Sequence, residues 1–139
     1  MSTEQNKALI RKHFESINNK DLKSALTQIS PCLVDHGLRR SLPLGPQGMR
    51  IFFDLQFSAF PDLHATIDDM IAEGDKVVAR VTICGTNHGS FMGMPPTGKQ
   101  ATWSLIDISR IANGKMVEHW VEIDTISLMR QLGIVPPLI

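Results

Sequence analysis

The sequence predicts a single α+β domain over residues 1–139, helices first, then a curved antiparallel sheet packed by them. Three observations carry that expectation. Apolar residues recur at helical spacing from Thr3 to Phe60. From Leu63 onward they give way to β-branched runs broken by short turns. Asn113-Gly114 then lies between two such runs, a strong hairpin signal.

Taken in order, Thr3 to Asn18 carries Leu9, Ile10, His13, Phe14 and Ile17 on one stripe, with Ser2 or Thr3 to cap its start. Asp21 opens a second, short helix whose stripe is Leu22, Ala25, Leu26 and Ile29, with Pro31 after its end. Cys32 to His36 is a short extended run. Gly45-Pro46 starts a third helix that buries Met49, Phe52, Phe53, Phe57 and Phe60 and stops at Pro61. Leu63 to Ala72 leads into a Glu73-Gly74-Asp75 turn, and Lys76 to Gly85 is a β-branched strand. A Gly/Pro-rich loop fills residues 86–99. Gln100 to Ala112 and Lys115 to Asp124 are the strands of the hairpin. Asp124 caps a last helix, Thr125 to Leu132, which Gly133 closes.

Composition narrows the class. Fourteen Lys and Arg balance 14 Asp and Glu, and no basic block exists, which argues against nucleic acid or an anionic membrane as partner. Hydrophobic residues at 42% and charged residues at 20% fit a globular chain. Cys32 and Cys84 are too few for a disulfide framework or a four-thiolate zinc site. The N-terminal residues lack the apolar stretch of a signal peptide, so a cytoplasmic protein is expected.

The hairpin register decides which side chains share a face. A two-residue turn would set Ala112 opposite Lys115 and Asp107 opposite Trp120. A turn with a glycine bulge at Gly114 would set Ile111 opposite Lys115 and Asp107 opposite His119. The bulged register sorts residues better. It gathers Trp103, Leu105, Asp107, Ser109, Ile111, Val117, His119, Val121 and Ile123 on one apolar face and sends Met116, Glu118, Trp120 and Glu122 to the other. An acid then stands directly across from an imidazole on an apolar surface.

Such groups are costly to bury singly. Paired, the carboxylate fixes the imidazole tautomer, and the histidine can move protons near neutral pH. Asp107 and His119 are therefore the candidate dyad, against the alternative of a pair that only orders the sheet. His36 is a further candidate, entering the same cavity from its mouth. Asp124 is another, although capping explains it as well. His13, His64 and His88 read as structural. The histidine spacing matches no metal motif, so no metal is expected. Gly93 to Lys99 fits the outline of a phosphate-binding loop. However, Gln100 replaces the hydroxyl residue, a strand follows where a helix is needed, and nucleotide binding is rejected. Neither cysteine has a predicted histidine partner, and no nucleophile elbow exists.

Several motifs together resemble one family. Phe60-Pro61-Asp62-Leu63, Glu73-Gly74-Asp75-Lys76-Val77, Gly93-Met94-Pro95-Pro96-Thr97-Gly98, Gly114-Lys115-Met116-Val117-Glu118-His119-Trp120 and the closing Gln131-Leu132-Gly133 are similar to the SnoaL-like polyketide cyclases. The resemblance implies an NTF2-like, cone-shaped α+β barrel with a deep hydrophobic pocket, and a homodimer or homotetramer. It implies an intramolecular aldol condensation without metal or organic cofactor, in which a pocket acid/base removes a proton and the substrate's own conjugation delocalises the enolate. The aspartate and histidine of the prototype cyclases fall at Val121 and Asp107 here, so Asp107 and His119 would form a rearranged dyad.

The expected function is cofactor-independent acid/base chemistry on a small or medium apolar carbonyl compound. His119 is the expected base and Asp107 its orienter, with Trp103, Leu105, Val121, Phe53, Phe57 and Met94 as apolar walls. The competing expectations are a non-catalytic binding or accessory protein using the same pocket, and an interaction domain whose pocket is filled by side chains.

Overall fold

Ser2 begins the first helix with a reciprocal pair of bonds. Its hydroxyl accepts from the Gln5 N–H at 3.1 Å, while its own N–H donates to the Gln5 side chain at 2.9 Å. The computed structural model describes residues 1–37 and 41–136. Its elements are α1 (Thr3–Asn18), α2 (Leu22–Thr27), β1 (Ile29–Asp35), α3 (Pro46–Ala59), β2 (His64–Glu73), β3 (Lys76–Thr86), β4 (Gln100–Ala112), β5 (Lys115–Ile123) and α4 (Thr125–Gln131). They build a mixed α+β fold in which helices pack on a curved five-stranded sheet of order β1-β5-β4-β3-β2. All neighbours are antiparallel except β1, which runs parallel to β5.

Two expectations about the second helix change. Ile29 belongs to β1 rather than to the stripe of α2, and Pro31 lies inside that strand rather than beyond a helix. β1 is an edge strand, where a residue without an N–H is tolerated. Its pairing with β5 is interrupted around Pro31: Ile29 partners Met116, and the next partners are Val34 with Glu118 and Asp35 with His119.

The hairpin adopts neither expected register. Asn113 and Gly114 both have positive φ, 52° and 72°, the two-residue turn that pairs Ala112 with Lys115. A bulge does occur, but inside β5. Ile111 pairs with Met116 and Arg110 with Glu118, so Val117 is the extra residue. Asp107 consequently faces Val121, and His119 faces Ser109. Without the extra residue, Glu118 and Trp120 would occupy the inner positions that His119 and Val121 hold. Moving the bulge from the turn into the strand preserves the inward side of Asp107 and His119 but makes them diagonal neighbours rather than opposite ones. It also reverses the assignment of Met116, which is 2% exposed on the inner side, and of Val117.

The core lies between the inner face of the sheet and helices α1 and α3. Phe60, fully buried, packs its ring 5.1 Å from Trp103 and 5.3 Å from Phe91. The loop after β3 is pinned by the buried Asn87. Its amide donates to the Gly89 carbonyl at 2.8 Å, and its oxygen accepts from the Thr97 N–H at 2.9 Å.

Candidate functional site

A cavity of about 110 Å³ opens between α1, α3 and the inner face of β3, β4 and β5. Its walls are largely apolar, with Ile10, Met49, Phe53, Trp103, Leu105 and Val121 among them. Asp107, Ser109, His119, His13 and Gln56 are its polar lining.

Asp107 and His119 are 8% and 6% exposed. The His119 ring lies between two carboxylates. Nδ1 donates to Asp35 Oδ2 at 3.0 Å, and Nε2 stands 3.5 Å from Asp107 Oδ2. The expected pair is thus joined by a third residue, Asp35, at the other ring nitrogen. Asp35 reaches His119 because β1 and β5 run parallel in the register that sets the two residues side by side. Its other oxygen accepts from the Gly37 N–H at 2.8 Å, which fixes the carboxylate plane. Gly37 is needed for this approach, since a Cβ there would lie 2.5 Å from Val121 Cγ1.

Asp107 Oδ1 is buried without a hydrogen-bond partner among the described residues. A buried carboxylate oxygen in that condition is costly. An imidazole set between two buried carboxylates at the wall of an apolar cavity is an arrangement that can carry proton transfer.

The remaining expected site residues divide. Trp103, Leu105, Val121 and Phe53 line the cavity; Phe57 and Met94 do not. The Phe57 ring lies on the helix side, under the Lys20 ammonium at 5.6 Å, and Met94 pairs with Phe91 in the loop. His36 is on the opposite face of the sheet. It bonds Glu118 at 2.7 Å and stacks on Trp120 with ring centroids 5.0 Å apart. A residue next to Asp35 on an extended strand points to the other side, so His36 cannot share the cavity. Asp124 is the cap of α4, accepting from the Ser127 N–H at 3.1 Å, and is absent from the cavity wall. The sequence alone does not bring Asp35 to His119, which only a parallel pairing across 84 residues reveals; His13, read as structural, also lines the cavity.

Comparison with known proteins gives a consistent picture. The chain is 29% identical over 79 residues to the aklanonic acid methyl ester cyclase DnrD of Streptomyces peucetius, a match covering 57% of this chain. That segment spans about half, 54%, of the relative's length. It is 26% identical over 107 residues to the nogalonic acid methyl ester cyclase of Streptomyces nogalater, covering 76% of each chain. Among solved structures, AclR of Streptomyces galilaeus, a proposed hydroxylase, superposes with a TM-score of 0.88 at 32% identity over 99% of this chain and 87% of its own. IdmH of Streptomyces antibioticus, a proposed polyketide cyclase, superposes with a TM-score of 0.81 at 31% identity over 93% of this chain and 99% of its own. The arrangement of sheet and helices also has the fold of an NTF2-like protein of Burkholderia pseudomallei, with a TM-score of 0.77 at 20% identity. A profile described as SnoaL-like polyketide cyclase matches residues 7–132, a stretch running from the first half of α1 past the end of α4. All the residues that line the cavity fall within it, and the chain belongs to the SnoaL-like polyketide cyclase family.

Proposed function

We propose that this protein closes a ring in an apolar, polyketide-like carbonyl compound by an intramolecular aldol reaction, using acid/base chemistry without a cofactor. The observation that carries the reading is His119, held at both ring nitrogens by Asp35 and Asp107 on the wall of a mainly apolar cavity.

In this mechanism the Asp107 carboxylate takes a proton from a carbon next to the substrate carbonyl. His119, its Nδ1–H bonded to Asp35, keeps a proton on Nε2 against Oδ2 and balances the charge of the dyad. The enolate attacks a second carbonyl of the same molecule and forms the ring bond. The resulting alkoxide takes the proton back from Asp107, so the dyad ends as it began. Apolar walls favour this cycle by excluding water from the carboxylate. Asp107 thus acts at the reacting atoms, and His119 and Asp35 are positioning residues.

Aklanonic acid methyl ester and nogalonic acid methyl ester, the compounds that name the relatives, are the substrates for the test. Ring closure followed by chromatography is expected with the wild type and lost in Asp107→Asn and His119→Ala. Saturable binding of both esters with no turnover would replace the catalytic reading with a carrier or accessory role.

A further inference from the structure

Ser109 is a polar group beside Asp107 that proton removal by the carboxylate does not use. Alternate residues of β4 point the same way, so Asp107, Ser109 and Ile111 share the buried inner face. Ser109 pairs across the sheet with His119 on β5 and with Val77 on β3. It is 2% exposed, and like Asp107 and His119 it lines the cavity. No hydrogen bond ties its hydroxyl to a described residue, and the hydroxyl oxygen is not sealed off as Asp107 Oδ1 is, so it is open to the cavity. A hydroxyl among apolar neighbours is costly to leave without a partner. The His119 ring opposite is engaged by a carboxylate at each nitrogen, which leaves the serine to offer a neutral O–H to a bound molecule.

We propose that Ser109 donates a hydrogen bond to the carbonyl oxygen of the substrate and stabilises the enolate that forms when Asp107 removes the proton. This rests on reading the cavity as an acid/base site. As Asp107 takes the proton, the electron pair of the C–H bond becomes the carbon–carbon double bond of the enolate, and the carbonyl π pair moves onto oxygen. That oxygen gains the negative charge, and the serine keeps its own proton. Residues two apart on one face of a strand are separated by about 7 Å. The spacing accommodates a carbon at the Asp107 carboxylate and the adjoining carbonyl oxygen at the Ser109 hydroxyl. A donor fixed where charge develops, in an apolar surround, favours the transition state over the bound ketone. When the enolate carbon attacks the second carbonyl, the same oxygen becomes a ketone again and the bond to Ser109 weakens.

The test is the exchange of the C1 protons of 2-tetralone for deuterium in heavy water, measured over a range of ketone concentrations to separate kcat from KM. Ser109→Ala removes one oxygen and is expected to lower kcat about a hundredfold, with KM within about threefold of wild type. A residue that only shapes the wall would move KM instead. Ser109→Thr and Ser109→Val have the same shape and differ in the hydroxyl, and the threonine variant is expected to exchange faster by about tenfold or more. That pair decides the matter where Ser109→Ala does not fold. A kcat for Ser109→Ala equal to that of wild type, a loss confined to KM, or, in the deciding pair, equal rates with threonine and valine overturns the proposal. Exchange lost in Asp107→Asn but kept in Ser109→Ala overturns it alone. Wild type that does not exceed buffer, or Asp107→Asn that exchanges as fast as wild type, overturns it together with the acid/base reading.

Discussion

Two histidine–carboxylate pairs lie back to back on the same two strands. β1 ends in Asp35 before His36, and β5 carries Glu118 before His119. Parallel pairing crosses them: Asp35 meets His119 on the inner face, and His36 meets Glu118 on the outer one. The chemistry of the two pairs is nearly identical, and their settings are not. The inner imidazole side chain is 8% exposed and has a carboxylate at each ring nitrogen. The outer imidazole is 40% exposed, and its glutamate is also bonded by Arg110 at 2.8 Å. Burial, not the identity of the residues, separates the proposed proton-transfer site from a surface ion pair. An exposed pair contributes little, whereas a buried ion left alone is strongly destabilising.

The largest effects are expected inside. Asp107→Asn removes the proton acceptor while keeping its shape, and turnover should fall by about 10²–10⁴ with the urea midpoint largely retained. His119→Leu tests the cost of burial. It leaves the buried carboxylates of Asp35 and Asp107 without the imidazole between them, and the loss in urea unfolding free energy should be about 3–5 kcal/mol. Asp35→Asn keeps the proton-moving groups and disturbs only the anchoring of His119. Its loss of turnover should be smaller than that of Asp107→Asn, appearing in kcat more than in KM.

On the outer face, His36→Ala should leave turnover unchanged and the urea midpoint near that of wild type; a loss comparable to His119→Leu would erase the distinction between the faces. The smallest effect concerns acid. The bonds from Arg110, then His36, hold the Glu118 carboxyl below its ordinary value of 4.5. A lowered value in the folded state makes the carboxylate stabilising above that ordinary value. The contribution disappears as pH falls through the lowered one. The stability difference between wild type and Glu118→Gln should therefore be present near neutral pH and vanish in strong acid, measured by thermal unfolding across that range.

Local signals made much of the fold legible. Ser2 with Gln5, Asp21, and Asp124 with Ser127 are caps that name helix starts, and Asn113-Gly114 names the hairpin. The strands after Leu63 follow from β-branched runs. What sequence alone left hidden depends on pairing. The extra residue at Val117 carries no turn signature of its own, so the bulge was placed at the glycine instead. The inward side of Asp107 and His119 survived that error because a bulge at either place shifts the side-chain alternation by one. Asp35 could not be matched to His119, since nothing local in β1 indicates that it returns parallel to β5. His36 was misplaced for the same reason: alternation assigns it a face only after the partner strand of Asp35 is known.

The central claim is that the Asp107–His119 couple moves a proton at carbon inside the cavity. Deuterium uptake from heavy water at the acidic C1 position of 2-tetralone, followed by proton magnetic resonance, tests it without the natural substrate. Wild-type protein should accelerate the exchange above buffer, and Asp107→Asn should return it to the buffer rate while still binding the ketone. Equal acceleration by wild type and Asp107→Asn would contradict the account.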